Sequence, residues 1–330
     1  MKYSQLNQAA IVNALRGQTL RVPNLYTIFR SWPKPEVQLN RHHEHIKPIV
    51  DQGVDRMAVT YPLISRRKKD DIARLASLWY PQASKPHIET LALYTTWLVC
   101  WDDAVDANEG DLAGDFARAE RWRRQTLQMV REALAIDENG THEAEDGDPI
   151  NGVFRDFGSQ FCVTALVDQR RLLHDDIRLF IESCAIEQEL RLADRIPDFE
   201  SYMKMRIGTV GGRMLCSLVP YATQERLSAA VASAPEIYQM WTQELRTDCV
   251  INAVAAIMEP GMTLEEVVVE LEHRMRLAVQ EFNDAADKLL KMTESNKELQ
   301  QTIGRYIDGC RTVVTGTLEF TTTSINVYKA

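Results

Sequence analysis

Near residue 100 the chain reads Trp97-Leu98-Val99-Cys100-Trp101-Asp102-Asp103-Ala104-Val105-Asp106. Two turns of apolar and aromatic side chains end in three carboxylates. At about 3.6 residues per turn, Asp102 and Asp106 share one helix face, while Asp103 lies about 100° around from Asp102. Carboxylates gathered at the mouth of an apolar pocket repel one another and resist desolvation unless a hard cation neutralises them. Mg²⁺ is the usual such cation, because it takes a few carboxylates and leaves its other positions for water or substrate phosphate. Asp102, Asp103 and Asp106 are therefore candidate metal-facing residues, with Asp103 also placed to brace an arginine. A metal–phosphate anchor over an apolar cavity suits chemistry that draws diphosphate off a hydrocarbon chain. A solvated helix end could carry the same residues, so the rest of the chain must decide.

A second polar set falls on a predicted helix over 236–258. Glu244, Asp248 and Asn252 are spaced i, i+4, i+8 and form one stripe within the apolar face of Ile237, Met240, Trp241, Leu245 and Ile251. Gln239 and Arg246 point the opposite way. Two carboxylates and an amide on an interior face need partners. A metal cluster would supply them, and so would a buried ion pair to an arginine such as Arg206 or Arg213.

The elements that must position these residues are helices. Apolar residues recur with helical period almost throughout, and sustained strand-like alternation is nearly absent. Helices are expected over 36–53, 68–80, 85–105, 111–136, 151–174, 176–194, 198–218, 223–233, 236–258, 263–292 and 296–325. Pro33, Pro35, Pro81, Pro86, Pro197, Pro220, Pro235 and Pro260-Gly261 punctuate them. Residues 137–149 are acidic and lack an apolar run, which predicts a surface loop within one all-α domain spanning 1–330. Residues 1–24 read as a loose N-terminal segment.

At 330 residues, with 45% apolar and 26% charged residues, the composition is that of an ordinary globular protein. A net charge of −9 argues against nucleic-acid binding. No stretch approaches the roughly 20 apolar residues of a membrane span, and the N-terminus lacks the apolar core of a secretory signal. The six cysteines (Cys100, Cys162, Cys184, Cys216, Cys249, Cys310) are scattered without a C-x-x-C pair, as expected for reduced thiols in the cytosol.

An aspartate-rich helix end in an all-helical chain of this length resembles the class I terpene synthases, particularly the compact fungal and bacterial sesquiterpene cyclases. A second stretch carries the likeness further: Pro197-Asp-Phe-Glu-Ser-Tyr202-Met-Lys-Met-Arg206-Ile-Gly-Thr209-Val210-Gly211-Gly212. It resembles the family segment in which a Pro, a Tyr and an Arg precede a small-residue helix break. The resemblance implies a helical bundle around a central cavity and gives Arg206 the role of sensing diphosphate. Thr209, Val210 and Gly211 would tie its movement to substrate ionisation. Arg suits that task, since its planar fork matches phosphate oxygens, and glycines relax helical geometry at a break.

Two family elements are damaged. The second metal motif, Asn-Asp-x-x-Ser-x-x-x-Glu, fits best from Asn252, where Ala256 and Pro260 replace the Ser and Glu. The C-terminal Arg-Tyr pair that hydrogen-bonds diphosphate is here Val327-Tyr328. Asn283-Asp284-Ala-Ala-Asp287 lies too far downstream to be the lost motif and reads as a solvated helix face.

The resemblance implies a Mg²⁺-dependent cyclase ionising a prenyl diphosphate of farnesyl size. Asp102 and Asp106 would anchor the metal, Arg206, Asn252 and Tyr328 would grip the substrate, and Trp97, Trp101, Trp241 and Phe320 would line the cavity. For any one of those aromatics, core packing is the alternative role. The damaged motifs keep two other functions open. One is a terpenoid transferase whose cation is captured by an external nucleophile such as an amine. The other is a non-catalytic terpenoid-binding protein. The expected oligomeric state is a monomer or homodimer.

Overall fold

The computed structural model describes residues 17, 23–34, 39–105, 112–136, 147–227, 234–237, 240, 253–258 and 262–324. Among them every regular element is helical, the all-α class expected from the sequence. In chain order these are a 3-10 turn (Leu25–Thr27), α1 (His43–Ala58), a 3-10 segment (Pro62–Asp70), α2 (Ile72–Trp79) and α3 (Lys85–Val105). There follow α4 (Phe116–Ala133), α5 (Pro149–Thr164), α6 (Val167–Leu192), α7 (Phe199–Thr209), α8 (Gly212–Ser217) and α9 (Val219–Thr223). The last are α10 (Val254–Ile257), α11 (Leu264–Met292) and α12 (Lys297–Ser324).

α3 is buried on every side over its middle turns, from Ile88 to Trp101, as a helix apolar all round must be. Its two interior threonines satisfy their hydroxyls locally, Thr95 and Thr96 donating to the carbonyls of Leu91 (2.9 Å) and Ala92 (2.7 Å). α1, α2 and α5 pack directly around it. An aromatic cluster locks its C-terminal half. Tyr94 meets Phe157, Trp97 meets Phe154, and Trp101 stacks on Trp122 of α4 at 5.2 Å with Phe180 of α6 at 5.3 Å. Such pairs add directional preference to burial, so they set where the aspartate-bearing end of α3 emerges. A smaller apolar cluster joins Tyr202, Met203 and Met205 of α7 to Val254 and Ile257 of α10 and Leu264, Val267 and Leu271 of α11.

Several boundaries differ from the sequence expectation. α1 begins at His43, and Asn40 ties down its approach: the amide donates to the carbonyls of Tyr80 and Ala83 at 2.9 Å each, while Oδ1 accepts from His42 N at 2.9 Å. The break expected near 175 falls at Ala165–Leu166, both extended, and α6 runs through the polar His174-Asp175-Asp176 stretch unbroken. The polar residues there were misleading: Asp176 is buried with an arginine partner and so does not mark a chain exit. At the end of the acidic 137–149 run, Asp148 is anchored and not simply solvated. It caps α5 at Ile150 N (2.8 Å) and accepts from Tyr61 Oη (2.7 Å) and Trp122 Nε1 (2.8 Å).

Most of the N-terminal segment 1–24, residues 137–146, and much of the expected helices 223–233 and 236–258 lie outside the described residues. Among the described residues, no helix is long and apolar enough to cross a membrane.

Candidate functional site

Asp102 and Asp103 ride the last turn of α3, Asp102 exposed and Asp103 half-buried. Asp103 is gripped by Arg67 from the 3-10 segment: Arg67 Nη2 donates to Oδ1 at 2.7 Å and Nε donates to Oδ2. The same guanidinium reaches Asp70 Oδ2 at 2.5 Å. Burial works against its charge, yet the two carboxylates outweigh burial and hold Arg67 above its ordinary value. The pairing engages both oxygens of Asp103, which is the arginine brace that its position around the helix allows.

α6 fixes the end of α3 from the other side. Arg191 Nη2 donates to the carbonyls of Val105 and Ala113, both at 3.1 Å. One turn earlier, buried Gln188 donates to Leu112 O (2.9 Å) and Ala113 O (3.1 Å), and accepts from Arg123 Nη1 at 2.7 Å. A cation at a helix C-terminus satisfies orphan carbonyls and complements the helix dipole.

Arg206 lies in the last turn of α7, with Nη1 donating to Thr209 Oγ1 at 3.1 Å. The helix stops at Val210. Gly211 adopts φ 72°, ψ 1°, and α8 starts anew at Gly212. A side chain at Gly211 would be strained by that left-handed backbone and would press on Met214 Cε at 3.0 Å. The continuous helix expected over 198–218 is therefore broken, at the small residues to which the family resemblance assigns a break.

Asp102 and Arg206 converge on α6. The thiol of Cys184 is held well above its ordinary value, first by burial and then by the negative charges of Asp102 and Glu187, while Arg206 and Arg123 pull it down. The end of α3 and the end of α7 thus face the same stretch of α6.

α7 approaches α6 closely because residue 208 has no side chain. A Cβ there would run into both Oγ and Cβ of Ser183 and lie 3.3 Å from Leu179 O. Gly208→Ala is expected to cost about 1–3 kcal/mol by forcing the helices apart, read as a lower Tm. Adding Ser183→Ala should restore only part of the loss, since that variant keeps the obstructing Cβ. Full recovery would mean that the Ser183 hydroxyl alone obstructs the methyl.

Comparison with known proteins bears on the fold and on its relatives. A family model described as "Terpene synthase family 2, C-terminal metal binding" matches residues 94–243. The chain is 23% identical to sesquiterpene cyclase hepA of Aspergillus oryzae, over 93% of this chain and 90% of that protein. It is 22% identical to terpene cyclase braA of Annulohypoxylon truncatum, over 91% of this chain and 84% of that one. Among solved structures, germacradien-4-ol synthase from Streptomyces citricolor superposes with a TM-score of 0.72 at 17% identity, covering 86% of this chain and 97% of that one. The chain is similar to terpene synthases over nearly its whole length, and the family model matches its central part.

Of the residues expected in the site, Arg206, Thr209 and Gly211 lie together at the α7–α8 break, and Asp102 lies beside the braced Asp103 at the end of α3, with both ends resting on α6. Trp97 is fully buried among Phe154, Tyr94 and Trp101, the core-packing role open to it. Phe320 is half-buried on α12 against the main core. Asp106, Trp241, Glu244, Asp248, Asn252 and Tyr328 lie outside the described residues. Sequence reasoning missed Arg67, Gln188, Arg191 and Asp176. Arg67 sits in an Arg66-Arg67-Lys68-Lys69 run that reads as a solvated face, and its contact to Asp103 spans 36 positions.

Proposed function

We propose that this protein is a Mg²⁺-dependent class I terpene cyclase that ionises a prenyl diphosphate, of farnesyl size, to a carbocation. One observation carries the reading: the Asp102-bearing end of α3 is bonded to α6 through Arg191, and the Arg206-bearing end of α7 packs on the same helix where Gly208 meets Ser183. Cation-binding and diphosphate-binding groups must meet in this way if both are to serve one departing diphosphate. The matching family model describes a metal-binding domain, and the relative named sesquiterpene cyclase hepA is a cyclase of fifteen-carbon terpenes, the size on which the farnesyl reading rests.

The donor chemistry fits a hard divalent cation. Asp102 offers carboxylate oxygens at an exposed helix end, and Asp106 lies one turn on in sequence. We assign the opposing donors to Glu244, Asp248 and Asn252 from their sequence periodicity. Bound there, the cation would neutralise the charge developing on the diphosphate.

The chain's own groups do the remaining work. Arg206, steadied by its bond to Thr209 Oγ1, donates to diphosphate oxygens as negative charge grows on them. Tyr328 is a further donor. The Arg67 brace engages both oxygens of Asp103 and keeps the α3 end in place. Aromatic faces shelter the cation, and Phe320 and Trp241 are assigned to the wall. Incubation with Mg²⁺ and geranyl, farnesyl or geranylgeranyl diphosphate, followed by analysis of volatiles, tests the reading. Terpenoid hydrocarbons or alcohols from the farnesyl substrate support it, and products only when an amine or alcohol nucleophile is supplied would replace it with the transferase.

A further inference from the structure

Asp176 is the only buried acidic residue among the described residues, and nothing in the mechanism above uses it. Its side chain is wholly enclosed on α6, with Oδ1 2.8 Å from Arg213 Nη2. Burial pushes its carboxyl up to about 6, against the pull of the Arg213 guanidinium and the Ser217 hydroxyl. A carboxylate enclosed this deeply is costly and persists only with its partner in place.

That partner sits two residues beyond Gly211, in the first turn of α8. The placement belongs to a longer pattern. Asp176, Phe180, Ser183 and Cys184 are spaced i, i+4, i+7 and i+8, so they form one stripe on α6. Read along that stripe, Asp176 holds Arg213, Phe180 lies 4.0 Å from the direction of a Cβ on Gly211, and Ser183 abuts Gly208. Cys184 feels Arg206. The chain from Arg206 to Arg213 therefore runs antiparallel to α6, with the break in the middle. Asp176 and Cys184 are about 12 Å apart along the helix axis, so the ion pair grips one limb of the break while Arg206 sits on the other.

We infer that Asp176 is a positioning residue: by holding Arg213 it fixes the limb after Gly211, and so sets the backbone of residues 208–212 relative to Arg206. Without that anchor, the rest of α8 keeps its buried contacts through Met214, Leu215 and Cys216, and the turn over 208–213 loosens. The inference rests on the proposed role of Arg206 in gripping diphosphate, and its test includes a readout that does not.

The test compares wild type, Asp176→Asn and the double variant Asp176→Val/Arg213→Met. The double variant removes both charges at once, so no charge is left stranded. Three quantities are measured: Tm, amide hydrogen exchange over 208–213, and kcat and KM for farnesyl diphosphate with Mg²⁺. The double variant should keep a Tm near wild type, exchange faster over 208–213 alone, and lose about 10- to 100-fold in kcat with little change in KM. Asp176→Asn keeps an acceptor for Arg213 and should recover much of that loss. Wild-type exchange over 208–213 in the double variant overturns the anchor, whatever the kinetics. A fall in kcat matched by a lower Tm and faster exchange throughout the fold also overturns it, because the pair is then only structural. A wild-type protein inert toward prenyl diphosphates would defeat the proposed function instead, and the exchange measurement would still decide the anchor.

Discussion

Asp102→Asn should reduce Mg²⁺-dependent turnover of farnesyl diphosphate by about 10²–10³-fold, the equivalent of several kcal/mol of lost charge stabilisation. Asn keeps the shape of the side chain but removes the negative charge and one good oxygen donor. The fold should not notice, since Asp102 is exposed and the end of α3 is held independently by Trp101 stacking and by Arg191 at the Val105 carbonyl. Far-ultraviolet circular dichroism should therefore match wild type while activity disappears. Asp106→Asn should behave likewise. Asp103→Asn should differ, because it loosens the Arg67 brace and acts through the position of α3. An Asp102→Asn enzyme with near-normal turnover would remove the α3 end from the metal site.

Arg206→Lys should lower kcat by about 10²-fold, the scale seen when one preorganised donor to a developing anion is removed. Lysine keeps the charge and loses the planar fork, so it cannot bond Thr209 Oγ1 and two phosphate oxygens in a single geometry. KM should change less than kcat, because the donor matters most as charge builds on the departing diphosphate. Steady-state kinetics with farnesyl diphosphate gives both numbers. Unchanged kinetics would make Arg206 a simple helix-end residue and would break the link between the Gly211 turn and chemistry.

What the sequence made legible was local. The run from Trp97 to Asp106 showed an apolar helix ending in carboxylates, because helical period and residue type are written in consecutive positions. The segment from Pro197 to Gly212 was legible for the same reason: a proline start, an arginine and paired glycines lie within one short stretch. Tertiary pairing has no such signature. Nothing in the Arg66-to-Lys69 run marks Arg67 as the residue that reaches Asp103, and nothing near Asp176 marks it as buried. The misplaced helix boundary near 175 has that origin, since a polar cluster reads as a chain exit unless its partner is known. The Ala165–Leu166 junction, by contrast, carries no glycine or proline, and the side chain that marks it is Gln169, whose Oε1 accepts from Leu166 N at 2.9 Å as α6 begins.

The central claim is that the carboxylates at the end of α3 and Arg206 together release diphosphate from a prenyl chain. The most direct measurement is inorganic diphosphate liberated from farnesyl diphosphate by purified protein, with Mg²⁺ and with the metal removed by EDTA, for wild type and Asp102→Asn side by side. Release in step with terpenoid product by the wild type, abolished by EDTA and by Asp102→Asn, is the predicted result. Absence of release from geranyl, farnesyl and geranylgeranyl diphosphates alike, or release that persists in EDTA or in Asp102→Asn, would contradict it.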